Sequence, residues 1–317
     1  MEPPLTDASH GWLDQPAGAP EQFPEDVLRL CRNELHRLSY PEGVSVVDSA
    51  VAKIARGRQH IEKLTREIDN FLSTEPYAVE RRVVQHGREH LYVVSRDESA
   101  PTSIGLLIGD AAHNLRSALD YLVVSCAIRS VGRALTEKEE RGLQYPICCS
   151  SRDFEKKRKN KADPLNLLHP VLLEIIRRYQ PYMHRPNNPK QAHSYYLAQL
   201  DNIDKHRRSA TTSYVVSIPL EGEAFVAGGP IPRVVLPEAK EWGVGAVVVR
   251  LLFPEPSSAD IAVWKPKFSI TIDDEWPSAG RPDKILDQCA QWIEHFIVQQ
   301  VVWWESGALT SAAWSAP

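Results

Sequence analysis

Residues 103–131, SIGLLIGDAAHNLRSALDYLVVSCAIRSV, govern how the rest of the chain is read. Ile104, Ile108, Ala111, Leu115, Ala118, Leu122 and Cys126 recur at the three- and four-residue spacing of a single helix face. Such a face must be covered by other elements. At 100° per residue, Asp110, His113, Asn114, Ser117, Asp120 and Tyr121 fall in one polar arc on the opposite side, with Arg116 on its edge. A merely solvated face is usually built from Glu, Lys and Gln, whereas Asp, Asn, Ser and His are poorer helix formers, favoured where short polar groups bond specific partners. The arc therefore predicts a polar face packed against a second element.

Working outward, residues 46–72 carry Val47, Val51, Ile54, Ile61, Leu64, Ile68 and Phe71 as a second helical stripe, interrupted by Arg58, whose stem is expected to pack while its guanidinium reaches water. A shorter helix is expected at Glu25–Leu38. Between the two long helices, Val79–Gln85 and His90–Ser95 alternate with the period of strands around His86-Gly87-Arg88-Glu89, which predicts a hairpin. Gly132–Pro164 reads as charged and irregular, with Tyr145-Pro146-Ile147 extended and KKRKNK at 156–161 as a basic loop. Helices resume at Asn166–Arg178 and Gln191–Ser209. Residues 211–273 then turn to short β-rich runs separated by Gly and Pro, and Pro282–Trp304 is a last amphipathic helix.

Helices, then strands, then a helix argue for an α+β fold: a helical layer with a β-hairpin in the N-terminal half and a small antiparallel sheet, closed by the C-terminal helix. Residues 25–306 are expected to form one domain, because the apolar face of the last helix must return to the earlier ones. Residues 1–24 and 307–317 lack periodicity and read as disordered tails.

Composition narrows the function. The formal charge of −4 gives no global field to draw the chain onto nucleic acid or an anionic membrane, so binding to either must be local. No apolar run approaches the roughly 20 residues that span a bilayer. The first residues are acidic and proline-rich where an export signal would be basic and then apolar, and the five cysteines show no two-residue gap of a metal knuckle or redox pair. Both features favour a cytoplasmic location. No Gly-rich phosphate loop and no Gly-x-Ser-x-Gly elbow occurs, no cofactor is implied, and whether the chain is an enzyme stays open at this level.

A second segment, YYLAQLDNIDKHRR at 195–208, combines an apolar stripe of Tyr196, Leu200 and Ile203 with Asp201, Asn202, Asp204, Lys205, His206 and Arg208. Its cations complement Asp110 and Asp120, so the polar arc is expected to face it. Taken together, GDAAHNLRSALDYL at 109–122, the YPI piece, Gln180-Pro181-Tyr182 and LDNIDKHR resemble a widespread family of uncharacterised bacterial proteins, over roughly residues 60–210. That resemblance brings no established activity with it.

Three readings compete for these residues. In the first, Asp110, His113, Asn114, Asp120, Asn202 and His206 form a buried polar network that fixes helix register, or Asp110, Asn114, Asp120, Asn202 and Lys205 hold a ligand. In the second, a HEPN-like RNA-binding protein or metal-independent ribonuclease, His206 with Arg207 and His113 with Arg116 supply proton transfer and phosphate charge stabilisation. The chain departs from the HEPN pattern, since each His precedes its Arg. The third is a carboxylate and histidine metal site from Asp110, His113, Asp120, Asp201, Asp204 and His206, opposed by the neighbouring cations and by the lack of Glu-x-x-His pairs. No metal ligand is assigned on this basis. RNA, through a local basic patch, and a second copy of the chain are the partners left open; a membrane is not expected.

Overall fold

The computed structural model describes residues 45–205, 212–217, 232–235, 243–256, 267–272 and 280–307. The expected helix at Glu25–Leu38, the N-terminal tail, residues 308–317 and parts of the β-rich stretch 211–273 lie outside these. The architecture is α+β, and the backbone contacts divide it into two compact units. One, from residues up to 63, 106–210 and 283 onward, is helical; the other, from 64–105 and 211–282, carries the strands.

The helical unit is built on α1 (Asp48–Ser73) and α2 (Thr102–Val131), each of which also runs into the other unit. All seven residues of the expected α2 face are buried, and Leu107, Ala112, Leu119, Val123 and Ala127 are buried as well. Apolar contact therefore wraps most of this helix, and the polar arc is its one opening. On α1, Ile54, Ile61, Leu64 and Ile68 are buried, while Val51 is 47% exposed. Gly57 faces α2 so closely that a Cβ there would lie 2.9 Å from Leu115 Cδ2, which explains a glycine inside a helix at the usual cost in helix propensity.

Four short helices and α7 complete the layer. They are α3 (Glu137–Gly142), α4 (Ser151–Lys159), α5 (Pro170–Arg178), α6 (Pro181–His184) and α7 (His193–Lys205). Helices α3 and α4 stand where the sequence reads as irregular. Neither has much apolar periodicity; their signal is in the caps. Thr136 and Glu139 form a reciprocal capping box, and Ser150 accepts from the Asp153 amide. The basic run at Lys156–Lys159 thus forms the last turn of α4, where cations oppose the helix dipole, rather than a loop.

The C-terminal segment packs back onto the earlier helices, as its apolar face requires. It comprises α8 (Pro282–Trp292), a π-helical turn (Ile293–Val298) and α9 (Gln299–Glu305). Leu286, Cys289, Ile293, Ile297, Val301 and Trp304 are buried, with the Trp304 ring 5.9 Å from that of His169. Glu305 accepts from the Ser45 hydroxyl at 2.6 Å and the Val46 amide at 3.2 Å, just ahead of α1. Arg58 does not simply reach water: its guanidinium donates to Glu294 at 3.1 and 2.5 Å and to Asp287 at 2.7 Å, and these bonds, above all to Glu294, raise its pKa. No described helix is long and apolar enough to cross a membrane.

In the other unit, β1 (Tyr77–Val84) and β2 (Glu89–Asp97) form the expected hairpin, with Val84 opposite Glu89. The hairpin does not stand alone. Strands β5 (Val247–Leu252) and β4 (Arg233–Val235) extend it into an antiparallel sheet ordered β1-β2-β5-β4, whereas β3 (Thr212–Ser217) pairs, among the described residues, with β6 (Lys267–Ile272). Tyr92, Val94, Val248, Val249, Leu251 and Phe253 form its apolar cluster. Strand β2 buries Tyr92, Val93 and Val94 in succession, and its pairing with β5 shifts register between Tyr92 and Val93, where the alternation is interrupted.

The close passage of α1 over α2 makes a specific demand. Gly57→Ala improves helix propensity by about 1 kcal/mol, yet its methyl group must displace Leu115, and overpacking of this kind costs about 1–3 kcal/mol. A lowered melting temperature is expected for Gly57→Ala. Adding Leu115→Ala should then cost less than it does in the parent chain; additive effects in this cycle would show that the two residues are not in contact.

Candidate functional site

The polar arc of α2 is met from three sides within the helical unit. On the α7 side, His113 Nδ1 lies 3.1 Å from Asp201 Oδ1. The Asp201 side chain is 3% exposed, while that of His113 is 51% exposed. A carboxylate removed from water is retained as an anion only where donors or cations answer it, so the geometry favours Nδ1–H donating to Asp201. That leaves Nε2 directed outward, with Ser117 Oγ at 3.5 Å, the outer limit of a hydrogen bond.

On the α1 side, His60 Nδ1 lies 3.7 Å from Asp110 Oδ2, and Lys53 Nζ stands 5.3 Å from the centre of the Tyr121 ring. Burial lowers the pKa of His60, with Asp110 opposing and Arg56 and Lys63 reinforcing the shift. Asn114 donates back to the Asp110 carbonyl at 2.8 Å. Helices α1 and α2 run antiparallel here, as the pairs 53 with 121 and 60 with 110 require.

The third side is closed by the chain at 143–148. Asp120 accepts from the Tyr145 amide at 2.8 Å, and Arg116 donates to the Tyr145 carbonyl at 2.8 Å while lying 3.1 Å from Asp120. The pair grips both backbone groups of one residue. Gln180, fully buried, continues the connection by donating to the Pro146 carbonyl at 2.9 Å and accepting from the Cys148 amide at 2.8 Å. The α2 helix, the YPI piece and Gln180 of the QPY segment are therefore linked by side-chain bonds to backbone, and Asp201 of the LDN segment joins through His113.

Of the residues singled out in the sequence, the structure gathers Asp110, His113, Asn114, Arg116 and Asp120 on this arc, with Asn202 exposed beside Asp201 on α7. Lys205 ends α7, and its side chain is outside the described part, as are His206, Arg207 and Arg208. Among the described residues Asp110 lies beside His60 and Asp120 beside Arg116, while the partners expected at 205–208 lie outside the described side chains. Among the described residues no group of three or more His, Cys, Asp and Glu side chains is placed to hold a metal ion.

Sequence reasoning passed over His60, which lies beside the apolar stripe of α1 and carries no motif. It also missed His193, whose ring lies 6.2 Å from that of His184. Burial depresses the His193 pKa to about 4, helped by His184 and Arg185 and opposed by a hydrogen bond with Gln288. Burial acts in the same way on three described thiols, raising Cys148 to about 11, Cys289 to about 12 and Cys126 further, which disfavours the thiolate.

Two outcomes follow from these placements. Gln180→Leu keeps the volume but strands the Cys148 amide and Pro146 carbonyl, and should cost about 2–4 kcal/mol in chemical denaturation; a loss below about 0.5 kcal/mol would show the link to be dispensable. His193 is neutral when folded and binds its proton more readily when unfolded. Its contribution is therefore intact above the unfolded value of about 6.5 and declines as pH falls toward about 4. His193→Gln should flatten the fall in melting temperature across that window. No protein-family model, curated protein or solved structure matches this chain.

Proposed function

We propose that the paired polar helices form a ligand site at which His113 transfers a proton, held in position by Asp201. The observation that carries this reading is the inequality of exposure within one pair: a nearly sealed carboxylate against a half-open imidazole. A purely structural network seals both partners, as Gln180 and its two backbone partners are sealed. An imidazole with one nitrogen fixed and the other facing solvent suits a general base or acid. Ser117 is not placed as an acyl-enzyme nucleophile, because it lies in mid-helix, where the backbone amides are committed to the helix ladder and none is left for an oxyanion.

Arg116 and Asp120 act as positioning residues in this reading, holding residue 145 and so one wall of the site. The site fits a soluble, cytoplasmic protein of the bacterial family that the four motifs resemble. A ribonuclease assignment of the HEPN type needs an arginine free to meet phosphate, and Arg116 is turned inward with 12% of its side chain exposed; that assignment would depend on Arg207.

Hydrolysis of p-nitrophenyl acetate, a small ester attacked by accessible imidazole, provides the test. The chain has eleven histidines, so loss of most of the rate on His113→Ala alone, with the melting temperature held, is the expected result. Asp201→Asn should lower the rate by about 10-fold, in the range of general base effects. An unaltered rate in His113→Ala would remove the proposal.

A further inference from the structure

Helix α1 brings to this site something that the motifs do not contain. Lys53, Arg56, His60 and Lys63 follow one another at spacings of three, four and three, within an arc of about 80° and over about 15 Å of helix. Between residues 48 and 63 no carboxylate of α1 falls within that arc, Asp48 lying about 60° and Glu62 about 100° beyond its edge, while Glu67, one turn past Lys63, falls within it. The row flanks the α2 arc directly, since Lys53 lies against Tyr121 and His60 against Asp110. Arg56 and Lys63 are exposed, and both act electrostatically on His60, which places their charge at the site rather than elsewhere on the surface. Tyr121 is 46% exposed, with Lys53 over one face of its ring.

A track of cations beside an exposed aromatic ring is the chemistry that binds a single polynucleotide strand, its phosphates along the cations and a base on the ring. We infer that α1 and α2 together bind single-stranded RNA or DNA, with the backbone along Lys53, Arg56 and Lys63, a base at Tyr121, and His113 beside the bound strand. The inference names the ligand class for the site of the proton-transfer reading and rests on that reading for location, but binding is measured without any chemistry, so the two can fail separately. Net charge does not oppose it: at −4 for the whole chain, attraction must come from a local row such as this. A duplex fits less well, because its bases are stacked away from Tyr121. The basic turn of α4 has no exposed aromatic residue within it, which is why the inference is placed on α1.

The test is fluorescence anisotropy of the full chain with short labelled oligonucleotides: mixed-sequence RNA, the same sequence as DNA, and the DNA duplex. Single strands should bind and the duplex at least 10-fold more weakly. Three lysine or arginine contacts, or four with His60 protonated, predict a loss of about 20- to 50-fold between about 50 and about 200 mM salt. The charge reversal K53E/R56E/K63E should abolish binding and Tyr121→Ala should weaken it by about 5-fold or more, both with melting temperatures near that of the parent. The control K156E/K157E/K159E should bind as the parent does. Tighter RNA than DNA binding assigns a role to the 2′-hydroxyl; equal binding assigns recognition to the backbone, and either result supports the inference. It is overturned if no single strand binds at about 50 mM salt, if the α1 reversal binds normally, or if the α4 reversal is the one that fails. Ester hydrolysis without polynucleotide binding would sink this inference alone, and binding without hydrolysis would sink the proton-transfer reading alone.

Discussion

Helix α2 is wrapped by apolar contact around most of its circumference, and the remaining architecture of the helical unit answers to that condition. A helix buried in this way carries its short polar side chains along a narrow strip, where each is answered by its own helix or by another element. His113 finds Asp201 on α7, Asp110 finds His60 on α1, and Arg116 and Asp120 take the backbone of Tyr145. The strip thus fixes α1, α7 and the 143–148 chain in register against one helix. Gly57 sets the distance on one side, because any larger residue would hold α1 away from Leu115.

Along that strip the polar groups divide by exposure, and the proposed function rests on that division. Gln180 and Asp120 spend their hydrogen bonds on backbone groups, which can form no other bond in a buried place. Such bonds hold an extended segment where no sheet exists to hold it. His113 differs from them, because its Nδ1 is engaged by Asp201 while its side chain is half exposed, with Nε2 3.5 Å from Ser117 Oγ. Asp201 could be satisfied by a buried donor alone, yet it faces an imidazole that is half in water. A structural network gains nothing from leaving that imidazole open, whereas a site that must exchange protons requires it.

Much of this was legible in the sequence where a local period or a cap encodes it. The α2 face was, residue by residue, because seven apolar positions at helical spacing leave little choice. The hairpin was as well, through the alternation on either side of His86-Gly87. Helices α3 and α4 were not, since charged helices have no apolar stripe and announce themselves only by Thr136 with Glu139 and Ser150 with Asp153. Nor was the pairing of β2 with β5, which joins segments more than 150 residues apart in sequence and depends on packing that no local pattern records. Within the site, the polar arc and the 195–208 segment could be named, but the specific bond from His113 to Asp201 spans 88 positions and could not. His60 had no signal at all, being one histidine beside an apolar stripe.

The same limit explains why the cations of α1 escape a motif-based reading. Lys53, Arg56 and Lys63 are ordinary surface residues in isolation, and a charged row on a long helix is most often only its solvated side. Their meaning depends on what the helix lies against. Antiparallel contact with α2 sets Lys53 at Tyr121 and His60 at Asp110, so the row borders the one strip of α2 that apolar packing leaves open. Charge placed beside an opening with an exposed ring and a half-exposed imidazole is no longer generic surface. The electrostatics of this protein are thus local by construction: the chain as a whole repels polyanions weakly, and one helix carries the positive charge to where α2 can be reached.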